Sequence, residues 1–245
     1  MKINFTQVLV MISGIFMLAS FSQAKAGSLR DSIPDSAYSN GYPSPFALGV
    51  HVGSTGFGLH AYKPLGEKFG MRLGVSYMPF NTEISGKYSN RDTRSDVKAK
   101  SGNASLTFGW TPFSQNPGFF RSFNVQVGAG YFYKLDGQIV TRLKDPYKFG
   151  EINVDPERVG TVTTSVEWKN TVSPYLGIGW SNIVIDSRFS MHVDLGMYYL
   201  SKPKVSMQAD GLLEENVNNA GIVENNIKNY RYLPRVEVGF SYRFW

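Results

Sequence analysis

The chain contains no cysteine in its 245 residues. That excludes disulfides, thiolate metal sites, a cysteine nucleophile and a lipoprotein anchor. Charge is sparse: Asp, Glu, Lys and Arg make up 18% of the sequence, below the usual quarter. Hydrophobic residues reach only 42% and mean hydropathy is −0.21, which excludes a polytopic helical membrane protein. The one long apolar run, Val8 to Phe21, is too short to cross ~30 Å of hydrocarbon as a helix. Histidine is scarce too, at 3 residues, and no helical period of any length follows Phe46.

What is abundant points elsewhere. There are 25 Gly, 14 Tyr and 17 Phe, a composition of turns, close backbone approaches and amphipathic rings. The formal charge is +6 with a pI near 9.3. Part of that charge belongs to an export signal. Lys2 supplies a basic start, Val8–Phe21 an apolar stretch and Ala24-Lys25-Ala26 small residues flanking a cleavage site. Cleavage after Ala26 removes Lys2 and Lys25 and leaves +4. An exported chain does not meet nucleic acid, so anionic lipid is the expected partner of the remaining charge. Residues 27–44 are polar, with Pro34, Pro43 and several Ser, and read as a periplasmic N-terminal arm.

Residues 45–245 read as strands. In Arg188 to Leu200, Phe189, Met191, Val193, Leu195, Met197 and Tyr199 share one face, with Ser190, His192, Asp194 and Gly196 on the other. The final stretch sets Val236, Val238, Phe240, Tyr242 and Phe244 against Arg235, Glu237, Gly239, Ser241 and Arg243. Similar alternation occurs near 69–78, 103–112, 123–135 and 172–181. Two shorter strands, 46–53 and 56–63, join through Gly53-Ser54-Thr55-Gly56. That makes eight strands of about the length a tilted membrane strand needs, ~9–11 residues. Connections near 64–68, 113–120 and 182–187 are short, whereas 79–99, 136–170 and 201–229 are expected to be long polar loops. Alternating short turns and long loops are the pattern of outer-membrane barrels. The expectation is an all-β, eight-stranded antiparallel transmembrane up-and-down β-barrel.

A soluble β-sandwich would also alternate, but its apolar faces must meet, and here the opposite face carries Gly, Ser, Asn, Arg, His and Glu. Aromatics also cluster at both strand ends, with Trp110, Phe119 and Phe189 at one and Tyr77, Tyr131 and Tyr232 at the other, as interfacial girdles do. The closing residues Phe240, Tyr242, Phe244 and Trp245 are similar to the C-terminal signal read by the outer-membrane assembly machinery.

On these residues the chain resembles small bacterial outer-membrane barrels of the OmpA-like type. More narrowly it resembles a poorly characterised group of proteobacterial outer-membrane proteins. The matching stretches are Thr55-Gly56-Phe57-Gly58-Leu59, Trp110-Thr111-Pro112-Phe113, Pro174-Tyr175-Leu176-Gly177-Ile178-Gly179-Trp180, and Asp194-Leu195-Gly196 followed by Pro203-Lys204-Val205. The resemblance implies a fold and a Gram-negative outer-membrane location, and no activity.

Inward-facing Arg72, Lys134, His192, Asp194, Glu237 and Arg243 are expected to form a lumenal polar network, because buried charges are costly unless paired. Some outer-membrane barrels modify lipids, and a serine-type lipid hydrolase needs Ser and His within hydrogen-bond reach. The contexts His51-Val52-Gly53, His60-Ala61-Tyr62 and His192-Val193-Asp194 contain no His-x-Ser pair on one strand face. No catalytic, cofactor or metal residue is therefore assigned, and no cofactor is expected. His192 with Asp194 is read as a satisfied lumenal pair in preference to a metal or base site. The expected role is structural or one of surface interaction. A narrow diffusion channel, suggested by the many lumenal glycines, is the alternative, and a lipid-modifying enzyme a remote one. Expected partners are outer-membrane lipid including lipopolysaccharide, the assembly machinery, and an extracellular ligand held by the long loops.

Overall fold

Alternation of apolar and small polar residues makes each strand two-faced, and closure into a ring gives each face its own solvent. The computed structural model describes residues 46–88, 91–116, 118–149, 152–169, 171–185 and 188–244. The expected signal peptide, the arm at 27–44 and Trp245 lie outside the described residues.

Eight antiparallel strands form the ring: β1 (Phe46–Gly53), β2 (Gly56–Pro64), β3 (Phe69–Tyr88), β4 (Arg91–Trp110), β5 (Phe123–Leu143), β9 (Thr171–Val184), β10 (Phe189–Tyr199) and β12 (Tyr232–Phe244). β5 pairs with β9, and β1 pairs with β12 through Phe46↔Phe244 to Gly53↔Glu237, which closes the circle. The β1–β2 hairpin turns on Ser54 and Thr55, and Gly56 takes φ 112°, a conformation that favours glycine. Ser54 ties this turn to β12 by accepting from Val236 N at 3.0 Å and donating to Pro234 O at 2.8 Å.

Burial is inverted relative to a soluble protein. Val52, Leu59, Leu73, Phe108, Val127, Val172 and Leu176 are exposed on the outside, with Val172 at 71%. Inside, His51, His60, Asn103, Asn124, Gln126, Asp194, Arg235 and Glu237 are buried, Asp194 at 0%. An outward apolar band around a polar interior suits hydrocarbon outside. At the short-turn end Phe113, Phe119 and Phe120 pack as a cluster, with Phe119 and Phe123 on Trp180 at ring distances of 5.1 and 5.5 Å. Tyr77, Tyr131, Tyr133, Tyr199 and Tyr232 are exposed at the other end.

The connections expected as loops are largely ordered secondary structure. β3 and β4 run through 79–99 with unbroken pairing from Phe69↔Trp110 to Tyr88↔Arg91. Within 136–170, β5 continues to Leu143, followed by a small hairpin of β6 (Tyr147–Phe149) and β7 (Ile152–Val154), a helical turn Pro156–Val159 and β8 (Thr161–Glu167). Within 201–229 come β11 (Lys204–Ala209), a 3-10 segment Gly211–Asn219 and a helix Ala220–Ile227. β5 changes partner at the barrel rim: up to Phe132 it pairs with β9, and from Asp136 with β8, which in turn pairs with β11. The upper halves of β3, β4 and β5 thus join β8 and β11 in a five-stranded extension of the barrel wall.

Candidate functional site

Inward-facing positions on β3, β5, β9, β10 and β12 place the charged side chains at neighbouring levels of the lumen. Register sets Asp194 of β10 opposite Glu237 of β12, and Gly196 opposite Arg235. Arg235 holds Glu237 with two bonds, Nη2 to Oε1 at 2.7 Å and Nε to Oε2 at 3.0 Å, and donates from Nη1 to the Tyr198 hydroxyl at 3.0 Å. Arg72 pairs with Asp194 and donates to Ser181 Oγ at 3.0 Å. Gln126 Nε2 donates to Asn124 Oδ1 at 2.8 Å and to Asp194. Two guanidiniums thus face two carboxylates, and this matching permits charge to be buried. A bulge in β9 follows Ser181, with Asn182 at φ 57°, a value Asn tolerates better than most residues.

Above this layer aromatic rings pack against one another inside the barrel. Tyr175 and Tyr198 pack with centroids 4.9 Å apart and rings tilted by 44°, Phe132 meets Tyr198 edge-on at 5.2 Å, and the Arg235 guanidinium lies 5.1 Å from the Tyr175 ring centroid. Leu200 completes this buried cluster, and Leu135, Trp168 and Leu233 pack on it. The histidines lie against the same carboxylates, His51 Nε2 at 3.8 Å from Glu237 Oε2. His51 Nδ1 and His60 Nδ1 are 3.3 Å apart, His51 Nε2 meets Ser76 Oγ at 2.8 Å, and His60 Nε2 meets Ser241 Oγ at 2.7 Å. A hydrogen bond between two Nδ1 atoms needs one protonated and one bare. His192 packs edge-on against His60 at 4.7 Å and reaches Glu237 Oε1 at 3.3 Å.

Of the six network residues expected from sequence, Arg72, His192, Asp194 and Glu237 meet inside the barrel. Arg243 faces inward near the short-turn end, and among the described residues it pairs with no carboxylate. Lys134 is corrected. β5 has one extra residue at Tyr133, where the register passes from Asn103↔Phe132 to Gly102↔Lys134. The bulge reverses the faces beyond it and sends Lys134 outward, half-exposed, to pair with Asp136 at 3.2 Å. Phe240, Tyr242 and Phe244 lie on the outward face of β12, Tyr242 packing on Phe189 and Phe244.

Sequence reasoning passed over Arg235, although it sits two residues from Glu237 on the same face. It also missed Ser–His pairs formed across strands, Ser76 with His51 and Ser241 with His60. All four residues are buried in the lumen, separated by the barrel wall from any acyl chain outside. His192, Asp194 and Glu237 bring three potential cation ligands within 4.8 Å of one another. Arg72 and Arg235 already neutralise both carboxylates, so a cation bound there must compete with two guanidiniums. At the short-turn end a recess of ≈ 10 Å³, lined by Tyr62, Arg72, Asn124, Gln126 and Ser181, has room for about one water.

No family model matches the sequence, and no curated protein matches it. Among solved structures the chain is similar to CarO of Acinetobacter baumannii, with a TM-score of 0.59 and 21% identity over 82% of this chain and 98% of that one. CarO2 of the same organism matches with a TM-score of 0.60 and 19% identity over 82% of this chain and 99% of the other. The likeness is one of fold, and the fold is that of an outer-membrane β-barrel. Its outward apolar band is that of a barrel whose outer face suits a membrane.

Proposed function

We propose that this barrel is a sealed membrane scaffold that acts through its extracellular β-rich extension, in a structural or surface-interaction role. The observation that carries the reading is the presence of two packed layers inside the barrel, an ion-paired one under an aromatic one. In an eight-stranded barrel the interior is just wide enough for side chains to fill, and here large ones fill it. The lumenal glycines support closure more than passage. A Cβ on Gly130 would lie 2.7 Å from the Tyr198 ring, and one on Gly239 or Gly196 would overlap His192 or Tyr175. The glycines are therefore small because rings lie across them. With the interior filled, the surface offered to the outside is the sheet of β3, β4, β5, β8 and β11, a rigid platform of the kind on which recognition residues are mounted. Liposomes carrying the refolded protein should swell in small neutral sugars no faster than protein-free liposomes. Size-dependent swelling would overturn the reading in favour of a narrow diffusion channel.

A further inference from the structure

The bulge that removes Lys134 from the lumen places it on the membrane-facing side of the wall, and β4 presents two further amines there. Alternate residues of β4 are exposed outward: Trp110, Phe108 and Leu106 in the apolar band, then Lys100 and Lys98. From Trp110 to Lys100 the strand runs about 34 Å, or about 26 Å along the barrel axis at a tilt near 40°. That is about the ≈ 25 Å height of the apolar band of an outer-membrane barrel. Lys100 therefore stands where hydrocarbon gives way to headgroups, two residues along β4 from Gly102, over which the exposed Tyr133 ring lies, with exposed Tyr131 lower on the same face opposite Ala104. Register sets Lys100 opposite Asp136, Lys98 opposite Gln138 and Lys134 opposite Gly102. Lys98 and Lys100 are about 7 Å apart along the strand, and Lys134 is a diagonal neighbour of Lys100 at roughly 7–8 Å. The same face carries two carboxylates at this level, Asp136, which holds Lys134 at 3.2 Å, and Glu167 opposite it, with Lys204 beyond. Among the described residues no carboxylate pairs with Lys98 or Lys100. Higher on the wall the basic residues are already matched, Arg94 with Glu83 and Arg142 with Asp96 at 3.2 Å.

We infer that Lys98, Lys100 and Lys134 form a binding surface for the phosphorylated headgroup of lipopolysaccharide in the outer leaflet. Three amines at phosphate height, beside a tyrosine girdle that seats the sugar–acyl boundary, suit an anionic glycolipid whose chains lie along the apolar wall below. The inference stands whether or not the lumen conducts.

The test uses refolded full-length mature protein in zwitterionic micelles, with its thermal midpoint followed by heat-shifted gel mobility. Three probes are titrated separately: bisphosphorylated lipid A, the same lipid after dephosphorylation, and inorganic phosphate. Lipid A should raise the midpoint, and the other two should not. The K98Q/K100Q/K134Q variant should need about tenfold or more lipid A for the same rise. K63Q/K68Q, at the opposite end of the barrel, should respond like the parent. Single K98Q and K100Q variants, each an exposed substitution, should show smaller losses and keep the test decisive if the triple variant does not refold. A triple or single variant that responds fully, or a dephosphorylated lipid that works as well, would overturn the inference. So would a response to inorganic phosphate alone, which would mark a free-anion site.

Discussion

Glu237 is 1% exposed, and both its oxygens are held by Arg235. Removing one partner of such a pair leaves the other as an uncompensated buried charge, at a cost of about 3–5 kcal/mol. Glu237→Ala should therefore lower the urea midpoint of the folded, heat-shifted species sharply, and an unchanged midpoint would contradict the pairing. Replacing the pair together, Arg235→Met with Glu237→Leu, should recover most of that loss, because no charge is then left unmatched. The inward positions were legible from period-2 alternation alone, which placed Arg72, His192, Asp194 and Glu237 on the lumenal face. Lys134 was not legible, since one extra residue at Tyr133 reverses the faces and leaves no mark in composition. The His51–His60 contact was hidden for a different reason. It follows from the two-residue turn between Gly53 and Gly56, which sets His51 opposite Gly58 and His60 opposite Gly49, so it needs register as well as periodicity.

At the scale of elements, the strands crossing hydrocarbon were readable because one face is apolar. The upper halves of β3 and β4 were not. Glu83, Arg94, Asp96 and Lys98 fill one face there, and the other dilutes Phe80, Ile84, Val97 and Ala99 with Thr and Ser, so the alternation is too weak to be told from a loop. Cross-strand partners hold these halves together: Arg94 bonds Glu83, and Ser95 meets Thr141 at 2.9 Å across β4 and β5. The chain around Arg94, Lys98 and Arg142 should accordingly resist limited trypsin digestion in proteoliposomes, read by mass mapping of fragments. Rapid cleavage after Lys98 or Lys100 would show that the extension is not a stable sheet. The packing of rings on glycines belongs to this scale as well. β9 and β10 bring Gly177 opposite Gly196, and Tyr175 lies over both. Gly196→Ala should push Tyr175 off its seat under Tyr198 and lower the thermal midpoint by several degrees, whereas Ala at Gly66, which has open space around it but a positive φ of 93°, should perturb only its turn.

For the whole molecule, strand number and alternating connection length were enough to give a closed ring with both barrel ends identified. What fills the ring was not, because the aromatic layer is assembled from Phe132, Tyr175 and Tyr198, one each from β5, β9 and β10, and none is unusual in its own strand. That layer lies over the ion-paired one, and the two together are the ground for proposing a sealed lumen with the outer face and the extension as the working surfaces. The most direct test of this sealed lumen is single-channel current recording of the refolded mature protein in a planar bilayer, with folding verified by heat-shifted mobility. The account predicts silence from folded protein over long recordings. Reproducible discrete steps would contradict it and would make Arg72 and Glu237 the determinants of a water-filled path.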